Sequence, residues 1–108
     1  MNSETSTLVV KNIILLVSFE LNDKNLLGDW KKMSNWITTQ LLEVPWFISR
    51  DSVISEDWKI YCVVKWESRE AQSEFRKILE SEEMKPAMEA FAKIANMQTM
   101  KEEILEVL

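Results

Sequence analysis

Cys62 and Trp66 stand four residues apart on an alternating run, so a thiol and an indole share one face of an extended segment. A cysteine acts as a nucleophile only where its surroundings favour the thiolate. Among apolar neighbours desolvation disfavours that form and the residue is normally inert. Trp66 has two readings, a contact for a bound ligand or packing at the corner where the strand turns into a helix. For acid–base work the chain offers Tyr61, Arg50, Asp51, Glu20 and Glu67, and no histidine at all. Arg50 and Asp51 read as an ion pair at a strand edge or interface, contributing at most about 1 kcal/mol if exposed. Glu82, Glu83, Glu102 and Glu103 read as solvated faces. No metal-ligand spacing, Ser/His/Asp set or glycine-rich phosphate loop is present.

Aromatic and methionine side chains recur at helical spacing. Trp30, Met33 and Trp36 lie on one segment, Phe75 on a second, and Met84, Met88 and Phe91 on a third. Phe47 opens a strand. With Cys62 and Trp66, these could wall an apolar cavity or simply fill a core. Methionine suits a cavity of irregular shape.

The elements that must position these groups follow from periodicity. Leu8 to Leu21 reads as a long strand whose odd positions Ile13, Leu15, Val17, Phe19 and Leu21 are all apolar. Its even positions mix Ile14 and Leu16 with Asn12, Ser18 and Glu20, which predicts one fully buried face and one partly buried. Asn22 or Asp23 offers a cap for a helix from Lys24 to about Leu42, whose stripe is Leu26, Trp30, Met33, Ile37 and Leu41. Gly28 inside it costs about 1 kcal/mol relative to alanine, which close approach of a neighbouring backbone would justify.

Pro45 ends that connection. Trp46 to about Ile54 reads as a second strand, Ser55-Glu56-Asp57 as a turn, and Trp58 to Glu67 as a third. Trp58, Ile60, Cys62, Val64 and Trp66 then share a face. Ser68 caps a second helix with Ala71, Phe75, Ile78 and Leu79 inward. The helix restarts at Ser81-Glu82-Glu83 with Pro86 near its first turn, and Met84, Met88, Phe91 and Ala95 make its stripe. Glu103 to Leu108 reads as a fourth strand, because three strands would leave an apolar edge open.

Strand, helix, strand, strand, helix, strand is the ferredoxin-like split βαβ order, an α+β protomer with helices on one sheet face. The other face would hold Ile14, Leu16, Tyr61 and Val63, too apolar to stay wet in a monomer. A homodimer with two sheets packed across a two-fold axis is expected. Residues 8–108 make one domain, and residues 1–7 a flexible lead-in without the basic cluster of a secretion signal. The net charge of −5 with scattered basic residues argues against a nucleic-acid partner. No apolar run reaches the ~20 residues of a membrane span. One cysteine fits a reducing cytoplasm.

Trp46-Phe47-Ile48-Ser49-Arg50, then Trp66-Glu67-Ser68-Arg69-Glu70-Ala71 and the helical Phe75, resemble the antibiotic biosynthesis monooxygenase family of dimeric α+β barrels. The likeness runs from about Val9 to Leu108, and its central part is specific. It implies a ferredoxin-like protomer, a dimer whose sheets form a barrel, and a cavity between sheet and helices. Active members oxidise electron-rich aromatics such as anthrones and quinols with dioxygen, needing neither metal nor flavin. Trp66 stands where that family places its tryptophan, which makes it the candidate catalytic residue, and Cys62 where anthrone-oxidising members carry an asparagine. The haem-degrading branch uses an Asn, a Trp and a His, at positions close to Leu16, Phe75 and Met88 here. Without histidine that branch's axial iron ligand is missing, so haem degradation is not expected. The expectation is a cofactor-independent monooxygenase for a small electron-rich aromatic. The alternatives are a non-catalytic binder of a small apolar ligand and a structural dimer whose cavity is filled by its own side chains.

Overall fold

Alternation in one strand organises the sheet. In β3 (Lys59–Trp66), Ile60, Cys62, Val64 and Trp66 are all buried, while Lys59, Tyr61, Val63 and Lys65 between them are half-buried. The computed structural model describes residues 11–108. β1 (Ile13–Leu21) lies beside β3 and is flanked on its other side by β4 (Ala95–Glu106). β2 (Phe47–Ile54) forms the opposite edge, giving the antiparallel order β2-β3-β1-β4. The expected lead-in over residues 1–7, and the first positions of the long strand at residues 8–10, lie outside the described residues.

Three helices cover one face. A 3₁₀ turn at Lys24–Leu26 leads into α1 (Leu27–Leu41), α2 spans Arg69–Leu79, and a second 3₁₀ turn at Glu82–Met84 leads into α3 (Lys85–Ile94). Ser68 caps α2 by accepting a 3.1 Å bond from the Ala71 N–H. Pro86 sits in the first turn of α3, where its missing N–H costs nothing. The fold is thus α+β and ferredoxin-like, with the second helical connection broken in two.

The core forms two apolar clusters under the helices. One joins Ile13, Leu41, Val64, Trp66 and Ala71, and the other Phe19, Trp30, Ile60, Cys62 and Ala95. Each large side chain among them represents about 1.5–3 kcal/mol of burial. On the uncovered face Ile14, Leu16, Tyr61 and Val63 are half-buried and adjacent, since Leu16 pairs with Val63 and Ser18 with Tyr61. Among the described residues no helix is long and apolar enough to cross a membrane.

Several local expectations are corrected. Asp23 caps the 3₁₀ turn through Asn25 N–H, whereas Asn22 serves another helix end: its Nδ2 donates to Ala92, Lys93 and Ala95 carbonyls. Gly28 meets no close neighbour, because a Cβ built there finds nothing within 4 Å. Trp58 is not in the third strand. Its φ of 67° closes the turn in the left-handed region, with its N–H bonded to the Ser55 carbonyl. Ile78, expected inward, borders the open space between α2 and the sheet, which leaves it 46% exposed. The last strand begins at Ala95, eight residues before Glu103, so Ala95 closes the core from a strand instead of a helix stripe.

Candidate active site

Between the sheet and the helices lies a cavity of about 660 Å³, within the range of small-molecule sites and larger than a packing defect. β1 supplies Leu15, Val17 and Phe19 as its floor, and β3 adds Cys62, Val64 and Trp66. Trp30, Met33 and Trp36 come from α1 and Phe75 from α2, while Met84 and the α3 residues Met88 and Phe91 complete the helical wall. Nine of the ten side chains singled out from the sequence therefore meet on one cavity. Phe47 does not line it. Its ring packs edge-on against Trp66 at 6.0 Å, behind the wall. Leu16 lies on the opposite sheet face.

Trp66 is 1% exposed and held between Phe47 and Phe75, whose ring lies 5.2 Å away. Among the described residues, its Nε1–H is the buried side-chain donor that finds no acceptor. Such a group costs about 1–3 kcal/mol unless a ligand or water meets it. By contrast the Trp30 indole donates to Ser52 Oγ at 3.0 Å, and its ring packs edge-on against Phe19 and Phe91. Cys62 is buried, and desolvation pushes its thiol above the ordinary value, with nearby Arg50 and Ser52 pulling weakly the other way. The thiol is neutral near pH 7, so it neither attacks nor takes protons there.

Arg50 lines the cavity as well, a role that sequence reasoning missed. It forms no ion pair with Asp51, since neighbouring positions on a strand point to opposite faces. Its Nη1 donates to Ser34 Oγ at 2.7 Å, the Ser34 carbonyl at 3.1 Å and Thr38 Oγ1 at 3.0 Å. Nη2 reaches Cys62 Sγ at 3.6 Å, and the guanidinium stands 5.9 Å from the Trp30 ring. A bulge between Phe47 and Ser49 lets Phe47 and Arg50 both face the helices. The available signal lay in the turn: pairing Ile54 with Ile60 sets Ser52 opposite Cys62 and Arg50 opposite Val64. Gln72, Arg76 and Glu102 also line the cavity, and Arg76 bonds both Glu102 carboxylate oxygens at 3.0 Å. Tyr61 faces the other side of the sheet. No cluster of three or more His, Cys, Asp or Glu side chains that could hold a metal occurs among the described residues.

Neither a protein-family model nor a curated protein matches the sequence. Solved structures do match in shape. A candidate antibiotic biosynthesis monooxygenase of Nitrosomonas europaea superposes with a TM-score of 0.72 at 13% identity, over 90% of each chain. SnoaB, a cofactor-independent oxygenase from Streptomyces nogalater, gives 0.72 at 12% identity over 92% of this chain and 95% of its own. A conserved Bacteroides thetaiotaomicron protein of unknown function gives 0.69 at 15% identity, covering 90% and 98%. The chain therefore has the α+β protomer fold of the antibiotic biosynthesis monooxygenase structures.

Proposed function

We propose that the protein is a small oxygenase that oxidises an electron-rich, quinol- or anthrone-like aromatic with dioxygen, using no metal or organic cofactor. The observation that carries this reading is the apolar cavity of about 660 Å³ bordered by Trp66, whose buried N–H awaits an acceptor. The fold shared with an oxygenase that needs no cofactor supports it. The chemistry asks little of a protein. An ionised phenol or enol is itself the reductant, and the site holds it, favours its deprotonation and keeps water from the intermediates. For an anthrone, a ring methylene and a molecule of dioxygen become a ring ketone and a molecule of water. The ring carbanion adds dioxygen and, once protonated, gives a hydroperoxide. Loss of the remaining C–H proton and cleavage of the O–O bond then yield the ketone and water. Flat walls from Trp30, Phe75 and Phe91 suit a fused-ring substrate, and a ligand oxygen reaching Trp66 Nε1 would remove the cost of its unmet donor.

The reading includes a homodimer in a reducing cytoplasm, its uncovered sheet faces packed together to bury Ile14, Leu16 and Val63. A second reading, a binder without turnover, is favoured by one observation: the Cys62 thiol on the cavity wall is neutral and cannot serve there as a proton acceptor. An oxygen electrode separates the two. Purified protein with anthrone or a menadiol-type quinol should consume oxygen faster than buffer, and Trp66→Phe should slow it at least tenfold. Quenching of tryptophan fluorescence by the same compounds, with consumption equal to buffer, would leave the binder.

A further inference from the structure

Among the charged side chains on the cavity, Arg50 is the one that neither pairs with an opposite charge nor stands exposed. Its two Nη1 hydrogens are spent on Ser34 and Thr38, which fix the guanidinium plane. One Nη2 hydrogen meets Cys62 Sγ, a weak acceptor. Of five guanidinium hydrogens, Nε–H and the second Nη2–H have no partner among the described residues, and no carboxylate there pairs with Arg50.

The other charged or titratable groups on the lining do not compensate it. Glu102 of β4 is taken up by Arg76 of α2, and Glu80, following α2, is exposed. β3 contributes only the Cys62 thiol, and α1 and α3 contribute no charge. One positive charge thus faces a largely apolar space, where Coulomb attraction is stronger than in water. The fork of an arginine suits a flat oxyanion.

We propose that Arg50 anchors an anionic oxygen attached to an aromatic ring, a phenolate or an aromatic carboxylate, so that the cavity selects the ionised form of its ligand. This rests on the oxygenase reading of the same cavity and names its substrate class. An arginine beside the phenolate oxygen also raises the share of substrate in the form that reduces oxygen.

Three probes test it in the full-length protein, by absorbance and by quenching of tryptophan fluorescence: 2-hydroxyanthraquinone, anthraquinone-2-carboxylate and unsubstituted anthraquinone. Bound to the wild type, the hydroxyl probe should ionise at least one pH unit lower than in buffer, or the carboxylate should bind at least tenfold tighter than anthraquinone. The first result identifies a phenolate site and the second a carboxylate site. Arg50→Gln should abolish the effect without weakening anthraquinone binding, and Arg50→Lys should keep part of it. If anthraquinone binds while the wild type shows neither effect, or if Arg50→Gln preserves them, the proposal is overturned and the oxygenase reading stands. If none of the three probes binds, both fall. If Arg50→Gln does not fold, absence of both effects in the wild type still overturns the proposal, and a partial effect in Arg50→Lys supports the assignment to Arg50.

Discussion

Arg50 Nη2 and Cys62 Sγ face each other across the β2–β3 hairpin at 3.6 Å, a fixed cation against a thiol that stays protonated. The cation favours the thiolate, yet burial outweighs it, so the thiol lies above its ordinary value of 9.0. That balance leaves the charge of Arg50 available to something else.

The same balance gives stability an alkaline dependence. Above pH 9 the unfolded chain releases the Cys62 proton while the folded chain retains it. The contribution of this group is therefore complete below the unfolded value and is lost as pH rises through the folded one. Urea unfolding of the wild type and Cys62→Ala between pH 7 and 10.5 should show their difference narrowing or reversing above pH 9, with a slope approaching about 1.4 kcal/mol per unit. A difference that stays constant over this range would show that the thiol titrates as it does in the unfolded chain. Iodoacetamide at pH 8 should label Cys62 much more slowly in the folded protein than in urea.

Trp66 carries opposing contributions that two substitutions separate. Trp66→Ala removes a fully buried ring and should cost about 3–5 kcal/mol in urea unfolding. Trp66→Phe leaves a smaller cavity but also deletes the unmet N–H, so its cost should stay below about 2 kcal/mol. Equal losses for the two would mean that the N–H is satisfied in solution.

Gly28 is a simple site for stabilisation. Its φ is not positive and a Cβ there meets open space, so Gly28→Ala should raise stability by about 0.5–1 kcal/mol through helix propensity and a less free unfolded chain. A lower urea midpoint would mean that the position has a neighbour in the assembled protein.

The proposed pairing of uncovered sheet faces predicts a mass in solution twice that of the chain. Sedimentation at micromolar concentration should return a dimer, and Leu16→Glu should give a folded monomer by placing a charge opposite Val63. A wild type that sediments as a folded monomer would remove the dimer.

Much of this architecture was legible because short-range rules agreed with the tertiary result. Strict alternation from Ile60 to Trp66, the Ser68 cap and the Pro86 helix start are all local features that the packing preserves. Two features were not legible. Met84, Met88, Phe91 and Ala95 keep helical spacing, but the chain leaves the helix at Ala95, where Asn22 from the end of β1 holds the freed carbonyls. That is a long-range contact overriding a local pattern. Arg50 was hidden by the bulge at the start of β2, which resets which residues face the helices. Residue type and spacing marked most of the side chains that meet on the cavity without separating wall from core, whereas the cation needed the register.

The chamber has two sides of different stiffness. Arg50, Cys62 and Trp66 project from a hydrogen-bonded sheet, while opposite them Met33, Met84 and Met88 are unbranched thioethers that can re-pack more freely. On the proposed reading, the ligand's polar head would be judged strictly and its tail leniently. Homologous compounds differing only in ring substituents far from the oxygen should share the site, whereas moving that oxygen by one ring position should exclude them.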